Sequence, residues 1–306
     1  MQDLILVLSS PNDFPACQVV EALQRRQKSV LLFDPGDFPL SVTIDAAFGG
    51  TTWEGRLGYQ GAWYDMTRIA SLLYRRPTFY RVDPSLPPQI QRFAEQEAHH
   101  GFGGILRALP PGRWVSHPDA LRAAAFKPRQ LQIAAQLGLR TPRTLVTNDP
   151  DALRRFYEEC EGQIIYKTLS RGNIAVDRQR YDAIFTSQVQ AEHLDKRARV
   201  CQTAHLFQEV IEKAFELRLT VVGKQVFAAA VYSQHADTAR LDFRNGYDVV
   251  RYAVYKELPP EIEAACLGLV QAYGLAYGAI DMAVTPTGEY VFFEINGAGQ
   301  YQWIEV

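Results

Sequence analysis

The sequence predicts an α/β protein, with alternating strands and helices in its first part and mostly strands in its last third. Two patterns carry this expectation. Short apolar runs closed by turn residues recur through the first 115 positions, interleaved with segments of helical spacing. From Leu206 onward the chain reads as strand, interrupted by one helix at 260–273. Composition agrees: of 306 residues 47% are hydrophobic and 22% charged, the balance of a globular chain able to bury more than one core. The net charge of −2 provides no global basic field for nucleic acid or anionic lipid.

Leu4 to Leu8 is a continuous apolar strand, and Ser9-Ser10-Pro11-Asn12-Asp13 supplies turn and capping chemistry after it. Residues 15–27 place Ala16, Val19, Val20 and Leu23 at helical spacing, and Ser29 to Phe33 is a second buried strand. This βαβ opening implies a parallel sheet. It lacks GxGxxG after the first strand, so it is not read as a dinucleotide site. Residues 41–65 are a glycine-punctuated β-meander, Ser71 to Tyr74 a short strand, and 88–109 a helix with Ile90, Phe93, Ala94, Ile105 and Leu106 as its apolar positions. Pro110-Pro111-Gly112 ends that helix, Trp114-Val115 opens a strand, and a domain boundary is placed after His117.

Residues 119–138 are expected as one helix, with Ala123, Ala124 and Leu131 on one face and Gly138 beyond its end. Strands follow at 141–146 and 163–167, around a helix that starts at Asp149-Pro150. Residues 170–205 mix charges with weak periodicity and are expected to form a lid or binding loop. The domains expected are therefore 1–117, 118–205 and 206–306. Cys17, Cys160, Cys201 and Cys266 form no CxxC or His/Cys cluster and are read as reduced thiols, mostly core filler, of a cytoplasmic protein. No apolar run reaches membrane-spanning length, and the N-terminal run has no basic flank of a signal peptide.

The chemistry concentrates near the C-terminus. Gly278 to Val284 and Glu289 to Asn296 read as a hairpin about Thr287-Gly288, a register that sets Asp281 opposite Glu294. Glu294 and Asn296 are two apart and share a face. Such an all-oxygen set, without histidine or thiolate, suits Mg²⁺ bridging phosphates. Lys127 and Lys167 lie in apolar contexts where a lysine can meet phosphate oxygens, although a lone lysine is ordinarily solvated. A second alternating hairpin, about Gly223-Lys224, carries Glu216 and Arg218 on one face; Asp242-Phe243-Arg244 offers another arginine. Either arginine could clamp a transferring phosphoryl group, or merely complete an ion pair.

Lys127, Lys167, Gln208-Glu209-Val210-Ile211, Glu216-x-Arg218, Asp281 and Glu294-x-Asn296, in that order, resemble the ATP-grasp superfamily over residues 118–306. The opening resembles its pre-ATP-grasp domain. Asp34-Pro35-Gly36-Asp37-Phe38-Pro39, Tyr74-Arg75-Arg76-Pro77, Ser233-Gln234, Asp242-Phe243-Arg244 and Gly299-Gln300-Tyr301-Gln302-Trp303 are similar to the ATP-grasp ribosomal peptide maturases, macrocyclases that make microviridin-type graspetides.

The resemblance implies ATP and two Mg²⁺ ions as cofactors. Lys127 and Lys167 would hold phosphates, the backbone of Glu209, Val210 and Ile211 the adenine, and Glu216 would lie near the ribose. Asp281, Glu294 and Asn296 would hold the metals, and Arg218 and Arg244 the phosphoryl group or acceptor carboxylate. The implied partner is a ribosomal precursor peptide with leader and core, the leader meeting 170–205; no nucleic acid or membrane is implied, and a homodimer is plausible.

Three departures stand out: Gly297-Ala298-Gly299 where relatives commonly have proline, Asp242-Phe243-Arg244 for Asp-Trp-Arg, and Val306 where relatives continue into a closing helix. The expected reaction is ADP-forming macrocyclisation through an acyl phosphate. The alternatives are an amino-acid or peptide ligase of the glutathione-synthetase or glutamate-adding kind, and a nucleotide-responsive binding module without turnover.

Overall fold

The computed structural model describes residues 3–170, 172–175, 181–236, 239–246 and 249–304, and these divide into two compact units. The first contains residues up to Leu121, with Gly274–Tyr277 and Gln300–Gln302. Its strand β1 (Leu4–Leu8), helix α1 (Phe14–Arg25) and strand β2 (Ser29–Phe33) form the expected βαβ unit. Strands β3 (Val42–Gly49), β4 (Thr52–Tyr59) and β5 (Ala62–Asp65) make an antiparallel meander. Strand β6 (Ile69–Tyr74), helix α2 (Pro88–Arg107) and strand β7 (Trp114–Val115) complete it. The parallel sheet runs β2-β1-β6-β7, so β1 is central and apolar on both faces, with Leu6, Val7 and Leu8 fully buried.

Helix α2 forms where expected and packs the expected Ile105 and Leu106 on the core, but not the expected positions of its first half. Ala98, Phe102, Gly103 and Leu106 are buried, whereas Ile90 and Phe93 are exposed, because only the second half of the helix packs on the core. After β2, the buried Asp34 accepts from Gly36 N (3.0 Å), Thr78 N (2.9 Å) and Thr78 Oγ1 (2.7 Å). A Cβ on Gly36 would come within 2.2 Å of Thr78 Oγ1, so the two segments close on each other only with glycine there.

Helix α3 (Pro118–Ala124) is separate from helix α4 (Lys127–Gln136), which corrects the single helix expected over 119–138. Pro128 has no N–H to offer Ala124 O, and Phe126 takes an extended conformation (φ −86°, ψ 99°) between the two helices. Lys127 therefore sits in the first turn of α4 rather than inside a long helix.

The second unit, which contains α4, has two larger sheets and a two-stranded one among its described residues. The first comes from β8 (Thr144–Thr147), β9 (Ile164–Lys167), β12 (Ser187–Gln188) and β13 (His205–Glu209), in the order β12-β9-β13-β8. Helix α5 (Pro150–Glu159) packs Leu153 and Phe156 against Ile164 and Phe207 of this sheet. The described part of 170–205 is not plain loop: it holds a small hairpin, β10 (Asn173–Ala175) with β11 (Tyr181–Ala183), and helix α6 (Arg197–Val200). Residues 171 and 176–180 of that expected lid lie outside the described residues.

The larger sheet runs β16-β15-β14-β17-β18, from β14 (Phe215–Val222), β15 (Gln225–Tyr232), β16 (Arg251–Val254), β17 (Tyr277–Val284) and β18 (Tyr290–Asn296), with helix α7 (Pro260–Ala272) before β17. The β14–β15 turn is the expected two-residue loop, with Gly223 at φ +60°. Of the four cysteines, all unpaired, Cys266 is buried and Cys160 packs partly buried on the α5 core, while Cys201 is exposed. No helix among the described residues is long and apolar enough to cross a membrane.

Asp34→Ala is expected to lower unfolding stability by about 2–4 kcal/mol, because two amide donors and a hydroxyl lose their acceptor inside the unit. Urea unfolding checks this, with the exposed Asp83→Ala as the comparison. Equal effects of the two substitutions would contradict it.

Candidate active site

The β17–β18 pair sets Asp281 directly opposite Glu294. The expected register is right, but the expected turn is not. The chain reverses over Pro286-Thr287-Gly288, with Gly288 at φ +85°, which shifts the pairing near the turn by one residue. A bulge at Phe293, between the pairs Asp281–Glu294 and Met282–Phe292, restores the offset. Asn296 is exposed at the end of β18.

Each carboxylate already faces a cation. Lys127 Nζ reaches Glu294 Oε2 at 2.9 Å from α4, and Arg218 Nη1 reaches Asp281 Oδ1 at 2.6 Å from β14. Arg218 is buried, and its Cζ lies 5.6 Å from the Trp303 ring, which packs against Phe243 and Tyr252. A Cβ on Gly299 would lie 2.4 Å from Ala279 Cβ and 3.0 Å from Arg218 Nη2. The Gly297-Ala298-Gly299 departure therefore ends in a glycine that the passage beside Arg218 requires.

Lys167, half-buried at the end of β9, holds its ammonium 4.4 Å from the Phe293 ring centre and has no ion pair among the described residues. Burial lowers it to about 8, against the pull of Glu294 and with help from Lys127. The two carboxylates shift apart. Burial raises Asp281 and outweighs Arg218. Burial also works against the charge of Glu294, but Lys127, Lys167 and Arg244 together overcome it and hold the group below its ordinary value.

Glu216 is deeply buried, and burial pushes it upward despite Lys213 Nζ at 2.6 Å and Ser233 Oγ at 3.0 Å. Arg244 forks onto Asp242, through Nε at 2.8 Å and Nη2 at 2.6 Å, and that contact raises it. Asp242 also accepts from Thr186 N at 3.3 Å, which joins this loop to the segment before β12. At the end of β13, Glu209 N donates to Arg143 O (3.0 Å) and Val210 N to Gln163 O (2.9 Å). The Ile211 amide has no partner among the described residues.

The structure thus gathers Lys127, Lys167, Arg218, Asp281 and Glu294 around one strand pair. Glu216 and Arg244 are held by partners of their own, and no hydrogen bond or ion pair among the described residues joins either to Asp281 or Glu294. Glu209 closes β13, an inner strand of the other sheet, and Val210 and Ile211 follow it.

Two residues escaped the sequence reading. Lys213 is a buried lysine three positions before Glu216, a spacing that could have indicated their pairing. Gln130 is a buried polar side chain on the same helical face as Ala134, and a polar residue at a core position is itself a signal.

The donor chemistry fits magnesium. Asp281 and Glu294 keep 23% and 31% of their side chains exposed, and Asn296 adds an amide oxygen on the face of Glu294. No cluster of three or more His, Cys, Asp or Glu among the described residues forms a ready metal cage. Magnesium typically takes one or two carboxylates and completes its shell with phosphate and water.

Residues 4–122 match the MvdD pre-ATP grasp domain family. No curated protein matches the chain. Among solved structures, the macrocyclase MdnC from Microcystis aeruginosa MRC, bound with precursor peptide MdnA, is 34% identical over 99% of this chain and 93% of its own, with a TM-score of 0.86. A Chryseobacterium gregarium RiPP-associated ATP-grasp ligase, in complex with ADP and a leader and core peptide, is 28% identical over 100% and 92%, TM-score 0.89. The ATP-grasp ligase PsnB, complexed with a phosphomimetic variant of its minimal precursor, Mg and ADP, is 25% identical over 100% and 94%, TM-score 0.77. The chain belongs to the ATP-grasp ribosomal peptide maturases, the graspetide macrocyclase family, and is an ADP-forming ligase.

Proposed function

We propose that the protein closes rings in a ribosomal precursor peptide, joining an Asp or Glu side chain to a Ser or Thr hydroxyl or a Lys amine. The carrying observation is the charge order on the β17–β18 pair: two opposed carboxylates, each paired with a cation, and a third cation, Lys167, beside Glu294 without an ion pair among the described residues. A cation partly removed from water and without an ion pair of its own is suited to an incoming phosphate. The relatives bound to ADP, magnesium and precursor peptides support the same assignment.

In this reading Lys127 and Lys167 bind phosphate oxygens, and Ile211 N with the Glu209–Val210 backbone pairs the adenine. Glu216, fixed by Lys213 and Ser233, stands near the ribose. Asp281, Glu294 and Asn296 hold two magnesium ions, which neutralise phosphate charge when bound. Arg218 and Arg244 orient the peptide carboxylate. A carboxylate oxygen attacks the γ-phosphorus, the bond to ADP breaks, and an acyl phosphate forms. The hydroxyl or amine then attacks the acyl carbon, loses its proton and expels phosphate. Residues 118–205 and 206–306 serve as the two lobes around the nucleotide, and 170–205 receives the leader. We further propose a homodimer in the cytoplasm, and no nucleic-acid or membrane partner.

Intact mass spectrometry of the precursor peptide encoded beside the gene, incubated with enzyme, ATP and Mg²⁺, tests the reaction. The expected product has lost one water per link, with one ADP released for each. A gain in mass by a free amino acid would favour the ligase alternative. Glu294→Gln is expected to slow the reaction by about 10²–10³-fold with the fold retained; turnover like the wild type would contradict the site.

Lys167 also has a cost in stability. Its folded value of about 8 lies below the ordinary lysine value, so the unfolded chain holds more protons between about pH 8 and 10.5. The penalty is full below pH 8 and fades as pH rises through that window. Lys167→Met is therefore expected to be more stable than wild type by about 2 kcal/mol at pH 7, with the gap closing toward pH 10.5. Urea midpoints at both pH values check this, and a gap independent of pH would contradict it.

A further inference from the structure

We propose that Gln130 is a positioning residue of the active site, whose amide clamps Ile295 and so sets Glu294 and Asn296 against Lys127. The inference rests on the metal and phosphate roles proposed above. Gln130 is 2% exposed, and all its polar capacity is directed at backbone. Its Oε1 accepts from Ile295 N at 3.1 Å, while its Nε2 donates to Ile295 O at 2.9 Å and to Ala124 O at 2.5 Å. The amide can be oriented only one way, because one neighbour is a donor and two are acceptors.

Each of these contacts answers a need left by the backbone. Strand β18 is the last of its sheet, so the outward N–H and C=O of Ile295 have no strand to pair with. Gln130 supplies both missing bonds, as a neighbouring strand would. Ala124 O is the carbonyl to which Pro128 cannot donate, and Gln130 Nε2 takes that place. One side chain thus fastens the end of α3, the first turns of α4 and the outer edge of β18.

The placement matters because of what flanks it. Ile295 turns its own side chain into the core and lies between the two proposed metal ligands. Lys127 lies three residues before Gln130, on the same face of α4, and its Nζ is 2.9 Å from Glu294. Any slide of β18 along α4 therefore changes the Lys127–Glu294 contact and the direction of Asn296 together. Arg140 O, which accepts from Phe292 N at 2.8 Å, holds the same edge beyond the bulge but touches neither ligand.

Gln130→Met keeps the length and removes all three contacts. Gln130→Glu keeps an acceptor for Ile295 N but sets an oxygen against Ile295 O and Ala124 O. The test is calorimetric titration of Mg²⁺ into the full-length protein with ADP, together with melting temperature and precursor-peptide kinetics. Both variants are expected to need about 10- to 100-fold more Mg²⁺ and to lose kcat with little change in peptide KM. A folded variant that melts lower but keeps the wild-type Mg²⁺ midpoint and kcat would overturn the proposal, leaving Gln130 a purely structural residue. Should the Met variant fail to fold, the Glu variant decides. Failure of the wild type to bind Mg²⁺ with ADP is a separate result; it would overturn the functional reading and this inference with it.

Discussion

The arrangement depends on the neutralisation of two carboxylates placed opposite each other on adjacent strands. Like charges in that position repel, and partial burial removes the water that would screen them. Lys127 answers Glu294 and Arg218 answers Asp281, each within 3 Å. A unit-charge contact at this range is worth about 6 kcal/mol at an effective dielectric near 20, which opposes the discharge that burial favours. The divergence of the pair follows from the number of cations around each. Glu294 has three nearby and stays well ionised, whereas Arg218 does not fully offset the burial of Asp281.

The surrounding scaffold delivers these charges from different parts of the chain. Lys127 comes from a helix that restarts at a proline, Lys167 from the end of a strand in the smaller sheet, and Arg218 from the strand beside β17. Behind them lie buried apolar residues of β14, β17 and β18, including Leu217, Leu219, Ile280, Met282 and Phe292. Rigid neighbours of this kind suit a reaction in which charge must be placed accurately and water kept out. Lys167 shows the accompanying trade: its cation has a stability cost in the protein alone, which the proposed phosphate contact would offset.

Much of this was legible in the sequence. β1 and β2 carry the expected boundaries, because continuous apolar runs closed by turn residues leave little choice. The charged residues of the site stood out as polar positions inside apolar strands, or for Lys127 an apolar helical stretch. The register of Asp281 against Glu294 came out right through two deviations that cancel, a longer turn and a bulge at Phe293, neither visible in the alternation pattern. The helix expected over 119–138 breaks because Pro128 overrides the periodicity around it. Of the apolar positions expected on α2, Ile105 and Leu106 pack on the core while Ile90 and Phe93 do not, because apolar residues need not be buried where nothing packs over them. Gln130 was missed because its partners are backbone groups 6 and 165 residues away, which no side-chain pattern reveals.

The central claim is that the face formed by Asp281, Glu294 and Asn296 is where the metal binds. Electron paramagnetic resonance with Mn²⁺ in place of Mg²⁺ tests it most directly, on the protein with ADP. Bound Mn²⁺ in the wild type, and its loss to free ion in an Asp281→Asn, Glu294→Gln double variant of unchanged fold, is the predicted result. Equal Mn²⁺ binding by both proteins would place the metal elsewhere and contradict the account.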